Sequence, residues 1–184
     1  MSTDFEAARQ KYRPKRIEYL LIAESPPRTG SGRFFYFEQV PTGDSLFLET
    51  MKLLYPEDYS HTKLVRSQKR RFLQRFKEDG FYLIDSTDTP MEDSRPAKKR
   101  EQIAKALPSL REKLQQVGDA STRIILISST VYEVCGRPLK DEGFNIVNDE
   151  MIDFPGSGGQ AKYKDKMGRL LRKLGWRASV DGGA

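Results

Sequence analysis

The chain predicts an α/β domain: a three-layer α/β/α sandwich with a central, mostly parallel four-stranded sheet. Three observations carry this. Four short apolar or alternating segments, residues 17–23, 81–85, 123–128 and 144–148, are separated by stretches of helical periodicity. The first, IEYLLIA, is apolar along nearly its whole length, as a strand covered on both faces should be. The length of 184 residues, 37% of them hydrophobic and 32% charged, suits one domain spanning residues 1–184 with a sizeable core.

Taken in order, residues 1–14 read as a basic N-terminal arm, with Arg9, Lys11 and Arg13. The strand at 17–23 stops at Glu24-Ser25-Pro26-Pro27, because proline cannot donate to a ladder and restricts the residue before it. Gly30-Ser31-Gly32 keep the next loop pliable, and Phe34-Phe35-Tyr36-Phe37 follow at once. Asp44 or Ser45 can cap a helix bearing Phe47, Leu48, Met51 and Leu54 on one face. Residues 63–78 read as a single helix with Val65, Phe72, Leu73 and Phe76 opposite a basic face. Strand 81–85 (FYLID) runs into the polar stretch 85–90. Ile103, Leu107, Leu110, Leu114 and Val117 then mark a helix that Pro108 either kinks or restarts. After strands 123–128 and 144–148, Tyr163, Met167, Leu170, Leu171 and Leu174 define the last helix. Gly175 is its natural stop, and residues 178–184 are expected to fray.

Several function classes drop out. No apolar run approaches the ~18–20 residues that span a bilayer, and the first sixteen residues lack the apolar core of a signal peptide. An intracellular protein, cytoplasmic or nuclear, is expected, with no membrane partner. The one cysteine, Cys135, excludes an internal disulfide and any four-cysteine cluster; with His61 the one histidine, neither a metal nor another cofactor is expected. Cys135 reads as a structural thiol and His61 as an ordinary surface residue. A monomer is expected.

The net charge of +6 is unevenly spread. Residues 62–77 carry Lys63, Arg66, Lys69, Arg70, Arg71, Arg75 and Lys77 without one acid, and residues 162–177 add seven cations against Asp165 alone. Such clustering suits a polyanion, most often nucleic acid; the bland alternative is a solvated basic surface.

Three strand ends are chemically rich: Glu24-Ser25-Pro26, then Asp85-Ser86-Thr87-Asp88, and the loop from Asn148 to Gln160 that contains Phe154-Pro155-Gly156-Ser157. In a parallel sheet all three lie along one edge and can converge on one crevice. Glu24 and Asp85 are equally ordinary as caps or Asx-turns, Phe154 as a core residue, and the glycine cluster as a plain loop.

Together these segments resemble the uracil-DNA glycosylase superfamily. Ala23-Glu24-Ser25-Pro26-Pro27 is similar to its first motif, and residues 81–90 to its second strand, whose end reads the base. Ser94-Arg95-Pro96 with Glu101 resembles the arginine-proline and acidic pattern of its iron–sulfur branches. Phe154-Pro155-Gly156-Ser157 stands where the family has His-Pro-Ser. The likeness covers roughly residues 17–175 in order and spacing. It implies that fold and a DNA glycosylase-like hydrolase that flips a damaged or deaminated base, from single- or double-stranded DNA, and excises it. Glu24, Ser25 and Asp85 would be catalytic. Pro26, Phe35, Tyr36, Phe154, Ser157 and Gln160 would hold the substrate, with Gln160 as a wedge, and Arg70, Arg71 and Lys162 would grip phosphates.

The departures are specific. Ser25 stands where the most active branch has a water-positioning aspartate, and Phe154 replaces the histidine that polarises the leaving base. Asp85 replaces the base-reading asparagine; an ionised carboxylate only accepts hydrogen bonds, which favours an exocyclic amine over a carbonyl. These changes leave a second reading open, a non-catalytic nucleic-acid or nucleotide-binding module on the same fold. A third is a small-molecule enzyme such as a nucleoside hydrolase.

Overall fold

Tyr19–Ala23 (β1) runs between two parallel neighbours, Phe81–Asp85 (β2) and Arg123–Leu126 (β3), in the order β2-β1-β3. The register places Leu21 opposite both Leu83 and Ile125. Every residue of β1 and β2 is buried, which is why these strands read as continuous apolar runs instead of alternating ones. The computed structural model describes residues 3–177, and the tail expected to fray at 178–184 lies outside them.

Helices cover both faces of the sheet. On one face Tyr19 and Phe81 stack at 4.5 Å, with Phe76 and Trp176 closing over Phe81. On the other, Leu20 and Ile124 lie beside Leu114. In chain order the helices are Thr3–Lys11 (α1), Ser45–Leu54 (α2), Thr62–Ser67 (α3), Lys69–Glu78 (α4), Pro96–Val117 (α5), Ser129–Asp141 (α6) and Gln160–Lys173 (α7). No helix among the described residues is long and apolar enough to cross a membrane.

Among the described residues the sheet has three strands, not four. Residues 144–148 do run beside β3, but they pair with it only through an isolated bridge between Ile124 and Ile146; a second bridge joins Ile127 to Ile152. Between the bridges the side chain of Asn148 takes the place of a strand. Its Oδ1 accepts from the Leu126 amide at 3.0 Å and its Nδ2 donates to the Leu126 carbonyl at 3.2 Å. A primary amide carries one acceptor and two donors, so it mimics a peptide unit where the polar run Asn148-Asp149-Glu150 turns away.

Three further expectations change. The basic arm is a helix: Phe5 and Tyr12 of the 1–14 segment enter the core and Arg9 is 9% exposed. The single helix expected at 63–78 breaks at Gln68, and Lys69, at the start of α4, is buried against the Phe34 carbonyl and the Phe47 ring. Of the two alternatives at Pro108, a second helix falls: α5 is one helix of 22 residues with Pro108 on its exposed side. His61 caps α3, its Nδ1 accepting from the Leu64 amide at 3.2 Å. Cys135 is fully buried, and desolvation pushes its thiol up to about 12.

Candidate functional site

The carboxyl ends of β1 and β2 open onto a cleft of about 640 Å³. Ala23 pairs with Asp85 at the last rung, and Glu24 follows Ala23 directly, so both carboxylates stand at the carboxyl ends of adjacent strands. Both line the cleft, as do Ser25, Pro26, Phe35, Phe47, Arg33, Asp44, Lys99, Phe154 and Ser157. The position is the one where parallel α/β sheets bind ligands.

Glu24 is held from two sides. Its Oε2 accepts from Lys99 Nζ of α5 at 3.0 Å, and its Oε1 accepts from the hydroxyl of Thr130 in the first turn of α6. Thr130 is in turn 3.1 Å from the hydroxyl of Ser128. Ser128 has φ +87°, a left-handed backbone that costs a non-glycine residue strain, and its amide is fixed by the Ile152 carbonyl at 2.8 Å. The crossing from β3 into α6 is thus bent to aim a hydroxyl chain at Glu24.

Asp85 is 5% exposed and pairs with Arg9 of α1, Oδ2 to Nη2 at 3.0 Å. Burial pushes its carboxyl up to about 6, against the opposing pull of Arg9 and Lys113. It changes charge close to neutral pH, a property of groups that exchange protons with ligands.

A third carboxylate, Asp44, sits at the N-cap position of α2 yet makes no cap bond. It turns instead to Arg66, whose Nε and Nη2 donate to Oδ1 at 2.9 and 2.7 Å, while Lys69 stands 3.9 Å from Oδ2. Burial pulls the Lys69 amine down to about 8.

The structure gathers Glu24, Ser25, Pro26, Phe35, Asp85, Phe154 and Ser157 at one cleft. Lys162 lines a neighbouring hollow of about 330 Å³ that shares Glu24, Phe154 and Ser157. Four expected residues lie elsewhere. Tyr36 is 1% exposed in the core, with its hydroxyl bonded to the backbone of Leu83. Gln160 opens α7 without lining the cleft or the hollow. Arg70 and Arg71 sit on α4 outside both, and Arg71 is paired with Asp58 at 2.8 Å. The Arg95 and Glu101 pattern stays on the surface, Arg95 with Asp93 and Glu101 between Lys98 and Lys105.

Much of the basic run is paired with acids of the same chain: Arg66 with Asp44, Arg71 and Arg75 with Asp58, and Arg75 also with Glu57. The sequence reading missed Arg33 and Lys99, which line the cleft, and Arg9 and Thr130, which hold Asp85 and Glu24. Phe154, placed at the site through the family resemblance, is 44% exposed, which removes the alternative of a core residue.

Comparison with protein-family models, with curated proteins and with solved structures finds no match to this chain.

Proposed function

We propose that the chain is a DNA glycosylase-like hydrolase that takes a flipped base into the cleft and releases it. The observation that carries this is the emergence of Glu24 and Asp85 from the ends of adjacent parallel strands onto one cleft of about 640 Å³, with Phe35, Phe47 and Phe154 in its walls. That volume accommodates a nucleoside, and the walls offer flat apolar surface to a base.

In the reaction, water adds to the anomeric carbon, the bond from that carbon to the base nitrogen breaks, and its electron pair leaves with the base. The proton lost by the water goes to the base or to solvent. Positive charge grows on the sugar as the bond breaks. The Glu24 carboxylate, oriented by Lys99 and Thr130, opposes it electrostatically. With both of its oxygens already engaged, Glu24 serves as an electrostatic partner more than as a base. Asp85 reads the base edge: above about pH 6 it accepts from an exocyclic amine, and below that it offers a proton. The Gly159 amide is already given to the Gly156 carbonyl at 2.9 Å, so stabilisation of the departing base would fall to the amides of residues 156–158.

A second reading, a module that binds a base without cleaving it, is favoured by one observation. The side chain in the His-Pro-Ser position is Phe154, which supplies no N–H to the leaving base. The test is incubation with single- and double-stranded DNA carrying uracil, hypoxanthine, xanthine or a mismatch, followed by alkali to reveal abasic sites. The hydrolase reading expects cleavage of at least one lesion, with Asp85→Ala and Glu24→Ala lowering turnover more than binding. Binding without any abasic product selects the second reading. Wild-type release in both variants would overturn these assignments.

A further inference from the structure

Phe154 is one of two large apolar side chains exposed among the described residues, and it is propped open by the loop beneath it. A Cβ on Gly156 would stand 2.9 Å from the Phe154 ring, and one on Gly159 would stand 2.2 Å from the Phe154 carbonyl oxygen. Only glycine fits at Gly159, so the turn closes under the ring and holds it at the mouth of the cleft. Ser157 at φ +49° and Gly158 at φ +88° complete that tight turn. An aromatic ring kept out of the core at a cost in backbone strain is a surface prepared for a partner.

The carboxylates beside it, Glu24, Asp44, Asp85 and Asp153, are each already paired with a cation of the chain. Arg33 lines the cleft on one side of Phe154, its stem packed over Gly43, and Lys162 lines the adjoining hollow on the other. Neither makes an ion pair among the described residues, whereas Lys166, one turn along α7 from Lys162, is tied to Asp153 at 2.8 Å. Arg66, Arg71 and Arg75, of the basic run, are likewise already neutralised by Asp44, Asp58 and Glu57. Unpaired cations flank the exposed ring, and the long basic stretch of the sequence does not supply them.

We infer that Phe154, Arg33 and Lys162 form a binding surface for single-stranded nucleic acid, with the ring stacking on a base next to the one in the cleft and the two cations holding the flanking phosphates. The inference deepens the function proposed above and rests on it for the occupant of the cleft. Single strands are favoured on physical grounds. A stacking platform needs the open face of a base, which a duplex hides in its own stack. Two free cations also suit a short backbone track better than the many phosphate contacts by which duplex binders grip.

The test is fluorescence anisotropy with a labelled twelve-nucleotide single strand and with its duplex, in 50 mM salt. The single strand is expected to bind about tenfold tighter than the duplex. Phe154→Ala should weaken it about tenfold and Phe154→Trp should retain it. Arg33→Ala with Lys162→Ala should weaken it about tenfold and make the slope of log affinity against log salt shallower by about 1.4. Removing two cations at the far end of α6, Arg137→Ala with Lys140→Ala, should change little. Thermal melts confirm that each variant is folded.

Equal or tighter duplex binding, an unaltered affinity in Phe154→Ala, or no binding of either strand would overturn the inference. Its failure is separable from that of the hydrolase reading. Base release that persists in Phe154→Ala with undiminished DNA binding removes only the surface. Single-strand binding without base release keeps the surface and removes the hydrolase.

Discussion

The Tyr36 hydroxyl bonds both backbone groups of Leu83, accepting from its amide at 2.7 Å and donating to its carbonyl at 3.0 Å. Leu83 lies on the edge strand β2, where these groups have no neighbouring strand to meet. Asn148 performs the same service for Leu126 on the opposite edge. At each edge of the sheet a polar side chain thus occupies the backbone groups of one residue that a further strand would otherwise pair. Burial holds the Tyr36 phenol well above its ordinary range, so it keeps the proton that it donates. Tyr36→Phe leaves a buried amide and carbonyl unpaired and should cost about 1–3 kcal/mol. Urea unfolding of the variant checks this, with the midpoint expected to fall at an unchanged slope.

The Asp85 carboxyl, raised to about 6 by burial, makes a prediction about pH. Between about pH 4 and 6 the folded chain holds a proton that the unfolded chain has lost. Stability contributed by Asp85 therefore falls as pH rises through that window. Asp85→Asn removes the titration, so the stability gap should shift toward the variant by up to about 3 kcal/mol between pH 4 and 7. Urea titrations of both proteins across that range read the gap. A constant gap would mean that Arg9 keeps Asp85 ionised throughout.

Lys69 titrates in the opposite sense. Burial lowers its amine to about 8, so below that pH both states are protonated and the folded state bears the whole cost of a buried cation. Between about pH 8 and 10 the folded chain releases the proton while the unfolded chain keeps it, and stability rises. Lys69→Met leaves Asp44 paired with Arg66 and should be at least as stable as the parent at pH 7. The balance should move toward the parent by about 3 kcal/mol as pH approaches 10. Thermal melts of the two proteins at pH 7, 8, 9 and 10 decide it.

How much of this was legible in the sequence depends on whether a feature is local. β2 was readable to the residue, and β1 and β3 within two residues at each end, because full burial leaves an uninterrupted apolar run. The site edge followed from the same logic: parallel strands put Glu24 and Asp85 at one edge of the sheet whatever their partners. What was not legible is long-range. Arg9 meets Asp85 across 76 positions and Thr130 meets Glu24 across 106, and no periodicity encodes either meeting. The fourth strand was misread because a side-chain amide stands in for a main chain, which a pattern of apolar residues cannot reveal. The aromatic run misled for a related reason. Phe35 does line the cleft, but Tyr36 serves the core, Phe34 stacks on Phe5 at 4.6 Å, and Phe154 holds the exposed place.

The 156–159 turn offers a contrast between neighbouring glycines. Gly158, at φ +88°, has open space where a Cβ would go, so Gly158→Ala should cost only the backbone strain, about 1–2 kcal/mol. Gly159 has an ordinary φ of −81°, which alanine adopts freely. Its Cβ would nonetheless stand 2.2 Å from the Phe154 carbonyl oxygen, a backbone atom that moves only if the loop opens. Gly159→Ala should therefore be the more damaging change, by about 2–4 kcal/mol, although backbone preference alone ranks the two the other way. Urea unfolding measures the cost. Anisotropy with the single strand measures whether the ring has moved, and binding should drop in Gly159→Ala while Gly158→Ala stays near the parent. If both lose binding equally, strain in the turn, and not the close approach beneath Phe154, is what positions the ring.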